Sequence, residues 1–317
     1  MFCFVAVISF FLVTSKISHS VSDLAYDQDI SIMEYRLKQH VRKLSEDIGE
    51  RHYENPGSLQ KTANYIEKIF IQSGLIPQEQ LYGKGYKNII AEIKGDTSPE
   101  EIILIGAHYD TVWMSPGADD NASGVSVLLE LARILASHHF EKTLRFVTFT
   151  NEEQPFAESA SMGSVINAQQ SHNLQEKIVA MYSLEMLGYY SDEPGSQQYP
   201  PPLDRFYPDK GSFIAFISNI SSGILLARTL FAFRQHSDFP NQGLLAPEAL
   251  VPDIRRSDHA SFWDAGYAAV MVTDTANYRN INYHSVGDVS RTLDYKKMAQ
   301  LTRALALMFS SLAWPVE

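Results

Sequence analysis

Two adjacent carboxylates, Glu152 and Glu153, stand just beyond the apolar run Leu144-Arg145-Phe146-Val147-Thr148-Phe149. Acidic side chains at the end of a buried strand are costly unless something compensates them. Neighbouring side chains on an extended backbone point to opposite sides, so such a pair can divide two tasks. Groups of the same chemical character recur along the chain. His108 and Asp110 lie in Gly106-Ala107-His108-Tyr109-Asp110-Thr111. Asp119 and Asp120 lie in Pro116-Gly117-Ala118-Asp119-Asp120-Asn121-Ala122-Ser123-Gly124. Glu185 lies in Ser183-Leu184-Glu185-Met186-Leu187-Gly188, and His284 in Tyr283-His284-Ser285.

Imidazoles and carboxylates in this mixture suit a hydrolytic pair of metal ions. Zinc takes such ligands, and two-metal sites hold their ions about 3.5–4 Å apart around a shared water. His108 opens a His-x-Asp pattern at a strand end. A ligating imidazole normally donates its second N–H to a carboxylate, and Asp110 lies on the same side of an extended backbone. Asp119 and Asp120 repel each other, which a cation relieves, and one of them can bridge two ions; Asp119 or Asn121 can also cap the helix that follows. Of Glu152 and Glu153, one binds metal and the other serves as general base and then general acid. Glu185 and His284 complete the set. His259, in Arg256-Ser257-Asp258-His259, is an alternative to His284 that spacing does not separate.

The elements that must position these groups read as strands alternating with helices. Strands are expected at 88–93, 102–107, 144–149, 178–184, 213–217 and 268–273. Helices are expected at 30–47, 59–73, 121–136, 161–169, 222–236 and 295–312. That alternation predicts an α/β fold: a single domain with a mostly parallel, mixed central sheet covered by helices on both faces. His108, Glu152, Glu153 and Glu185 all fall at or just past a strand's carboxyl end, where such sheets gather their chemistry. The irregular stretch 191–211 contains Pro194, Pro200, Pro201, Pro202 and Pro208. A loop of that length is usually functional or disordered, and it reads as a rim of the pocket. Tyr189, Tyr190 and Phe206 are candidates to line that pocket.

The chain has 317 residues, 45% of them hydrophobic, and a net charge of -11. It carries no basic run, which excludes nucleic acid as a partner. Residues 1–20 form a separate apolar unit. It is of signal-peptide length and short for a membrane span, so it reads as a signal peptide or an uncleaved N-terminal anchor. Export to the periplasm or secretion follows as an expectation, with 21–317 as the folded domain and no stable membrane span beyond that possible anchor. Cys3 is the single cysteine and lies inside this unit. The rest of the chain therefore has no thiol for a disulfide, a metal or a nucleophile.

The motifs around His108, Asp120, Glu153, Glu185 and His284, in this order and from about Gly49 to the end, resemble the M28 family of zinc aminopeptidases. The resemblance implies two zinc ions per chain: one held by His108 and Glu185, the other by Glu153 and His284, with Asp120 bridging. It implies that Glu152 is the general base, that Asp110 orients His108, and that the Asp119–Asp120 peptide is cis. Two departures stand out. The family often has Asp where this chain has Glu185, and no protease-associated domain is inserted.

The expected activity is removal of N-terminal residues from peptides, by a water lying between the two ions and activated by Glu152. Two rivals keep the fold: a single-zinc glutaminyl cyclase, and a non-catalytic binding domain. Retention of the whole ligand set and of Glu152 favours the peptidase. The oligomeric state and the preferred first residue are not legible in the sequence.

Overall fold

The computed structural model describes residues 29–314. The expected N-terminal signal or anchor segment, residues 1–20, lies outside them. Helix α1 (Ile30–Arg42) starts where the Asp29 carboxylate accepts the Ser31 N–H at 2.7 Å, which satisfies one of the free donors of the first turn. Asn55 caps α2 (Pro56–Gln72), with proline at its first position. Proline suits that place because its missing N–H would be unpaired there anyway.

The strands are β1 (Gln78–Tyr82), β2 (Tyr86–Ile93), β3 (Ser98–His108), β4 (Lys142–Phe149), β5 (Lys177–Glu185), β6 (Ile214–Asn219), β7 (Asn241–Ala246) and β8 (Ala269–Thr273). They form one eight-stranded sheet in the order β1-β2-β4-β3-β5-β8-β6-β7. The central ladder β4-β3-β5-β8 is parallel throughout, and β7 is parallel to β6. The joins β1-β2, β2-β4 and β8-β6 are antiparallel. The remaining helices are α3 (Gly124–Leu135), α4 (Gly163–Asn173), α5 (Gly223–His236), α6 (His259–Asp264) and α7 (Tyr295–Ala313).

Alternation along the strands feeds two cores, because successive side chains leave a strand on opposite faces. Ile103, Ile105 and Ala107 pack with α1, α2, α3, α5 and α7, while Ile102 and Leu104 pack with α4 and α6. The first layer is the thicker, with Phe70, Phe233 and Phe309 all fully buried in it. Burial of apolar area on this scale, at about 25 cal/mol per Å², is the main force holding the sheet between its helices.

The expected α/β architecture is the observed one. The elements without a sequence signal are β1, β7 and α6. Each is short, and the two strands lie at the sheet's edges. Gln78, Gln80, Asn241, Gln242 and Gly243 give those strands little β propensity. Only pairing with a neighbour decides their conformation. Among the described residues no helix is long and apolar enough to cross a membrane.

Candidate metal centre

The carboxyl ends of β3, β4 and β5 lie side by side, and each delivers an acidic or imidazole side chain. His108 is the last residue of β3 and Glu185 the last of β5. After β4 the chain turns through Asn151, whose φ is +61°, and presents Glu152 and Glu153. Asp119 and Asp120 come from the turn Ala118–Ser123 that leads into α3. Two glycines make that approach possible. Gly117 has φ +59°, which a side chain rarely adopts. A Cβ on Gly124 would lie 2.3 Å from Asn121 Oδ1 and 2.6 Å from the Leu184 carbonyl, so only glycine lets the turn close against β5.

Two donor sets result, and they share Asp120. On one side His108 Nε2 lies 3.3 Å from Asp120 Oδ1 and 3.3 Å from Glu185 Oε2. On the other, His284 Nε2 lies 3.1 Å from Asp120 Oδ2 and 3.3 Å from Glu153 Oε2. Within each trio one ligand atom per residue falls inside 4.8 Å of the others. Glu152 is somewhat farther off, its Oε2 3.8 Å from His108 Nε2, and makes a third such trio with His108 and Glu153. His108, Asp120 and Glu153 are buried, yet both His108 ring nitrogens, Asp120 Oδ1 and Glu153 Oε1 have no hydrogen-bond partner. Buried polar atoms are rarely left so, and a cation at each of the two sets that share Asp120 would satisfy them.

The electrostatics point the same way. Burial alone would raise the Asp120 carboxyl, but His108 and His284 outweigh it and hold it well below the usual carboxylate range. Burial and the neighbouring Asp120 push Glu153 up to about 7. Burial, with Glu153 and Glu185 nearby, raises Glu152 well above an ordinary glutamate, against the opposing pull of His108. Burial lowers His284, but Asp120 and Glu153 override it and lift the ring to about 10. Without an ion the cluster thus balances its charges by holding protons. A divalent cation held by these residues would replace those protons, because metal ligands must be deprotonated.

The surrounding contacts fix the ligands. Ser257 Oγ donates to Glu185 Oε2 at 2.7 Å. Asp288 accepts the N–H groups of Asp119 and Asp120 at 2.8 and 3.0 Å. Asp119 accepts from Gly188 N–H and from Asn280 Nδ2, and so ties the turn to the segment after β5. Arg51 is fully buried, and its guanidinium donates to the carbonyls of Leu44, Gly49, Tyr109, Pro116 and Gly117, bracing both loops that flank the cluster. His284 sits in the left-handed region at φ +54°, with the Tyr283 ring stacked on it at 3.7 Å. Such backbone strain costs about 1–3 kcal/mol and clusters at functional sites.

Every residue singled out in the sequence reaches this cluster, with four corrections. His284 joins it and His259 does not: His259 Nε2 donates to the Ile254 carbonyl at 2.6 Å, and the ring packs edge-on to Trp263. Asp110 Oδ1 is 3.6 Å from His108 Nδ1, too far for a hydrogen bond. Its oxygens instead accept the N–H groups of Glu152 and Glu153 at 3.2 and 3.1 Å, so it holds the turn that aims the two glutamates. The cis peptide is Asp120–Asn121, one bond later than expected. Asp288 clamps the two N–H groups before it, and Asn121 is held after it by the Leu184 carbonyl, Met186 N–H and Gly124 N–H. Finally, Tyr189, Tyr190 and Phe206 do not line the pocket. Tyr190 packs on Phe239, and Phe206 is 76% exposed. Sequence reasoning also missed Arg51 and the hydroxyl of Ser257, since a lone arginine or serine carries no spacing signal.

A cavity of about 690 Å³ opens from the cluster, with Asp120, Glu152, Glu153, Glu185 and His284 at one end. The stretch 191–211 forms one of its walls through Tyr199, Leu203 and Tyr207, as expected of a rim. Arg256 reaches its edge, where Nη2 donates to the Tyr283 hydroxyl at 2.9 Å.

Residues 88–309 match the profile of peptidase family M28. The protein YfbL of Escherichia coli K12 is 37% identical over 87% of this chain and 88% of its own length. A probable zinc metalloprotease of the fungus Pyrenophora tritici-repentis is 28% identical over 71% of this chain; the aligned region is 56% of that protein. The crystal structure of the LapA aminopeptidase of Legionella pneumophila superposes with a TM-score of 0.72 at 18% identity, covering 98% of this chain and 79% of that one. At that identity the likeness is one of fold.

Proposed function

Because this chain belongs to peptidase family M28, we propose that it is a zinc aminopeptidase with two ions per chain. The observation that carries the count is the Asp120 carboxylate, which turns one oxygen to His108 and the other to His284. The donor chemistry suits zinc, since imidazole and carboxylate oxygen are its usual ligands outside thiolate sites. His108, Glu185 and Asp120 would hold one ion, and Glu153, His284 and Asp120 the other. When bound, such a pair polarises the scissile carbonyl and makes a nearby water acidic enough to react near neutral pH.

The chain's own residues do the rest. Glu152 lines the cavity and stays farther from His108 Nε2, at 3.8 Å, than Asp120 and Glu185 do at 3.3 Å. Its raised proton affinity suits it to take a proton from water and deliver it to the leaving amine. Asp110 fixes the backbone of Glu152 and so aims it. The acidic end of the cavity attracts the free amino terminus of a peptide, which favours an exopeptidase over cleavage within a chain. The apolar N-terminal segment supports export, to the periplasm or beyond the cell, as the place of action.

The test is metal content together with hydrolysis of aminoacyl-p-nitroanilides. About two zinc per chain with amide hydrolysis is the expected outcome. One zinc, no hydrolysis and cyclisation of an N-terminal glutamine would replace the proposal with a glutaminyl cyclase. No bound metal would leave a binding domain on a peptidase fold.

A further inference from the structure

Three helices on the outer side of the thicker core layer are basic, and carry apolar side chains in solvent, within a chain that is otherwise acidic. We propose that the face formed by α1, α7 and α5 docks peripherally on a bilayer of anionic lipid, with the cavity turned away from it. The docking goes beyond the peptidase reading and does not depend on it.

Charge is unevenly placed along the chain. Helix α1 carries Arg36, Lys38 and Arg42 against Glu34. Helix α5 carries Arg228 and Arg234, and α7 carries Lys296, Lys297 and Arg303; neither has an acidic residue. These eight cations and one carboxylate give the three helices a net +7 in a chain of net -11, which leaves -18 for the rest. Helix α7 lies between α1 and α5 and packs on both, so their solvent sides form one continuous surface. Arg36, Arg228, Lys296 and Arg303 stand exposed on it. The carboxylates just past the end of α1 are matched locally, Glu46 by Arg42 and Asp47 by Lys43.

Exposed apolar side chains interleave with these charges. On α5, Ile224 (79% exposed) and Phe231 (67%) flank Arg228 at helical spacing, and Ile220 stands exposed just before the helix. A Cβ on Gly223 would lie 3.4 Å from Leu245 Cδ1, so the exposed Leu245 of the edge strand β7 adjoins the same stripe. On α1, Ile32 and Tyr35 are exposed one turn apart. One exposed apolar residue is ordinary. A basic helix face with aliphatic and aromatic groups set among its cations is the composition that lies in a headgroup region, carbon towards the acyl chains and Lys and Arg on phosphate.

The chain's own N-terminal segment favours lipid over an acidic protein as the occupant. Residues 1–20 have signal or anchor character, and residues 21–29 join them to α1. Nine residues reach at most about 30 Å, so a retained anchor keeps the start of α1 that close to the bilayer. The cavity lies on the other side of the sheet. Val165 of α4 and Ala260 of α6 line it, and no residue of α1, α5 or α7 does. Docking on the three-helix face therefore leaves the mouth open to solution.

The experiment uses the full chain and co-sedimentation with vesicles of phosphatidylcholine, alone or with one third phosphatidylglycerol. The N-terminal segment acts on both kinds of vesicle, so the ratio of the two partition coefficients reads the face. Wild type is expected to prefer the anionic vesicles by about 100-fold, and to lose that preference in about 0.5 M salt. Arg228→Gln combined with Arg303→Gln should cut the preference by about thirtyfold, at roughly fivefold per charge. Phe231→Ser should weaken binding to the anionic vesicles by about tenfold, as the ring no longer leaves water. Lys84→Gln combined with Lys210→Gln removes the same charge from exposed positions in the β1–β2 turn and in 191–211, and should leave the preference standing. Melting curves check that each variant is folded. No preference in wild type, or an equal loss in the Lys84 and Lys210 pair, overturns the inference. Concentration-dependent dimerisation in the ultracentrifuge, abolished by the Arg228 and Arg303 pair while the vesicle preference stays, would overturn it in favour of a second copy of the chain. None of these readouts involves peptide hydrolysis, so failure of the docking and failure of the aminopeptidase reading are told apart.

Discussion

Replacing Glu152 by glutamine keeps the side chain's shape and removes its capacity to accept a proton. Glu152 Oε2 lies 3.8 Å from His108 Nε2, whereas Asp120 and Glu185 approach the same nitrogen to 3.3 Å. The variant should therefore keep both ions. Loss of a general base typically costs a factor of about 10²–10⁴, equivalent to about 3–5 kcal/mol in the barrier. Its effect on stability has the opposite sign. Burial, Glu153 and Glu185 raise the Glu152 carboxyl in the folded chain. In the metal-free protein, ionising it above its unfolded-state value therefore weakens the fold. Glu152→Gln removes that penalty, so the metal-free variant should melt at or above the wild-type temperature at pH 7, and the two should converge at acid pH. The assay is steady-state hydrolysis of a leucyl-p-nitroanilide with zinc content measured on the same samples, and calorimetry after chelation. A kcat within tenfold of wild type at full metal content would refute the assignment of the base. Loss of zinc would instead place Glu152 among the ligands.

His284→Ala should leave about one zinc per chain, while His259→Ala should keep both; metal analysis of the two purified variants decides between the histidines. Ser257→Ala leaves Glu185 without its 2.7 Å hydrogen bond. It should weaken zinc binding by about 10–100-fold, read by competition with a chelator, and unchanged affinity would refute that support. Burial pushes His259 down to about 4 in the folded chain, against about 6.5 unfolded. The unfolded state therefore binds the extra proton first, and stability falls as pH drops from 6.5 towards 4, by about 3 kcal/mol in all. Chemical unfolding of the chelated protein across that window should show the slope in wild type and not in His259→Gln; equal slopes would contradict it.

The sequence by itself determined the central layers and the identity of the chemistry. The apolar runs 102–107, 144–149 and 178–184 become parallel strands because their side chains are buried on both faces, which needs no register information to read. The carboxylates and imidazoles that follow them arrive together, since parallel strands bring their carboxyl ends to one edge. Tertiary structure alone decided what depends on distance between segments far apart in the chain. It chose His284 over His259, because only the loop after β8 reaches Asp120. It gave Asp110 to the backbone of Glu152 and Glu153, placed the cis bond after Asp120, and turned Phe206 away from the cavity. It also brought Arg51 and Ser257 into supporting roles. Hydrogen bonds across 66 residues, as from Arg51 to Gly117, leave no periodicity in the chain. They exist only once the packing of apolar side chains has fixed which loops meet.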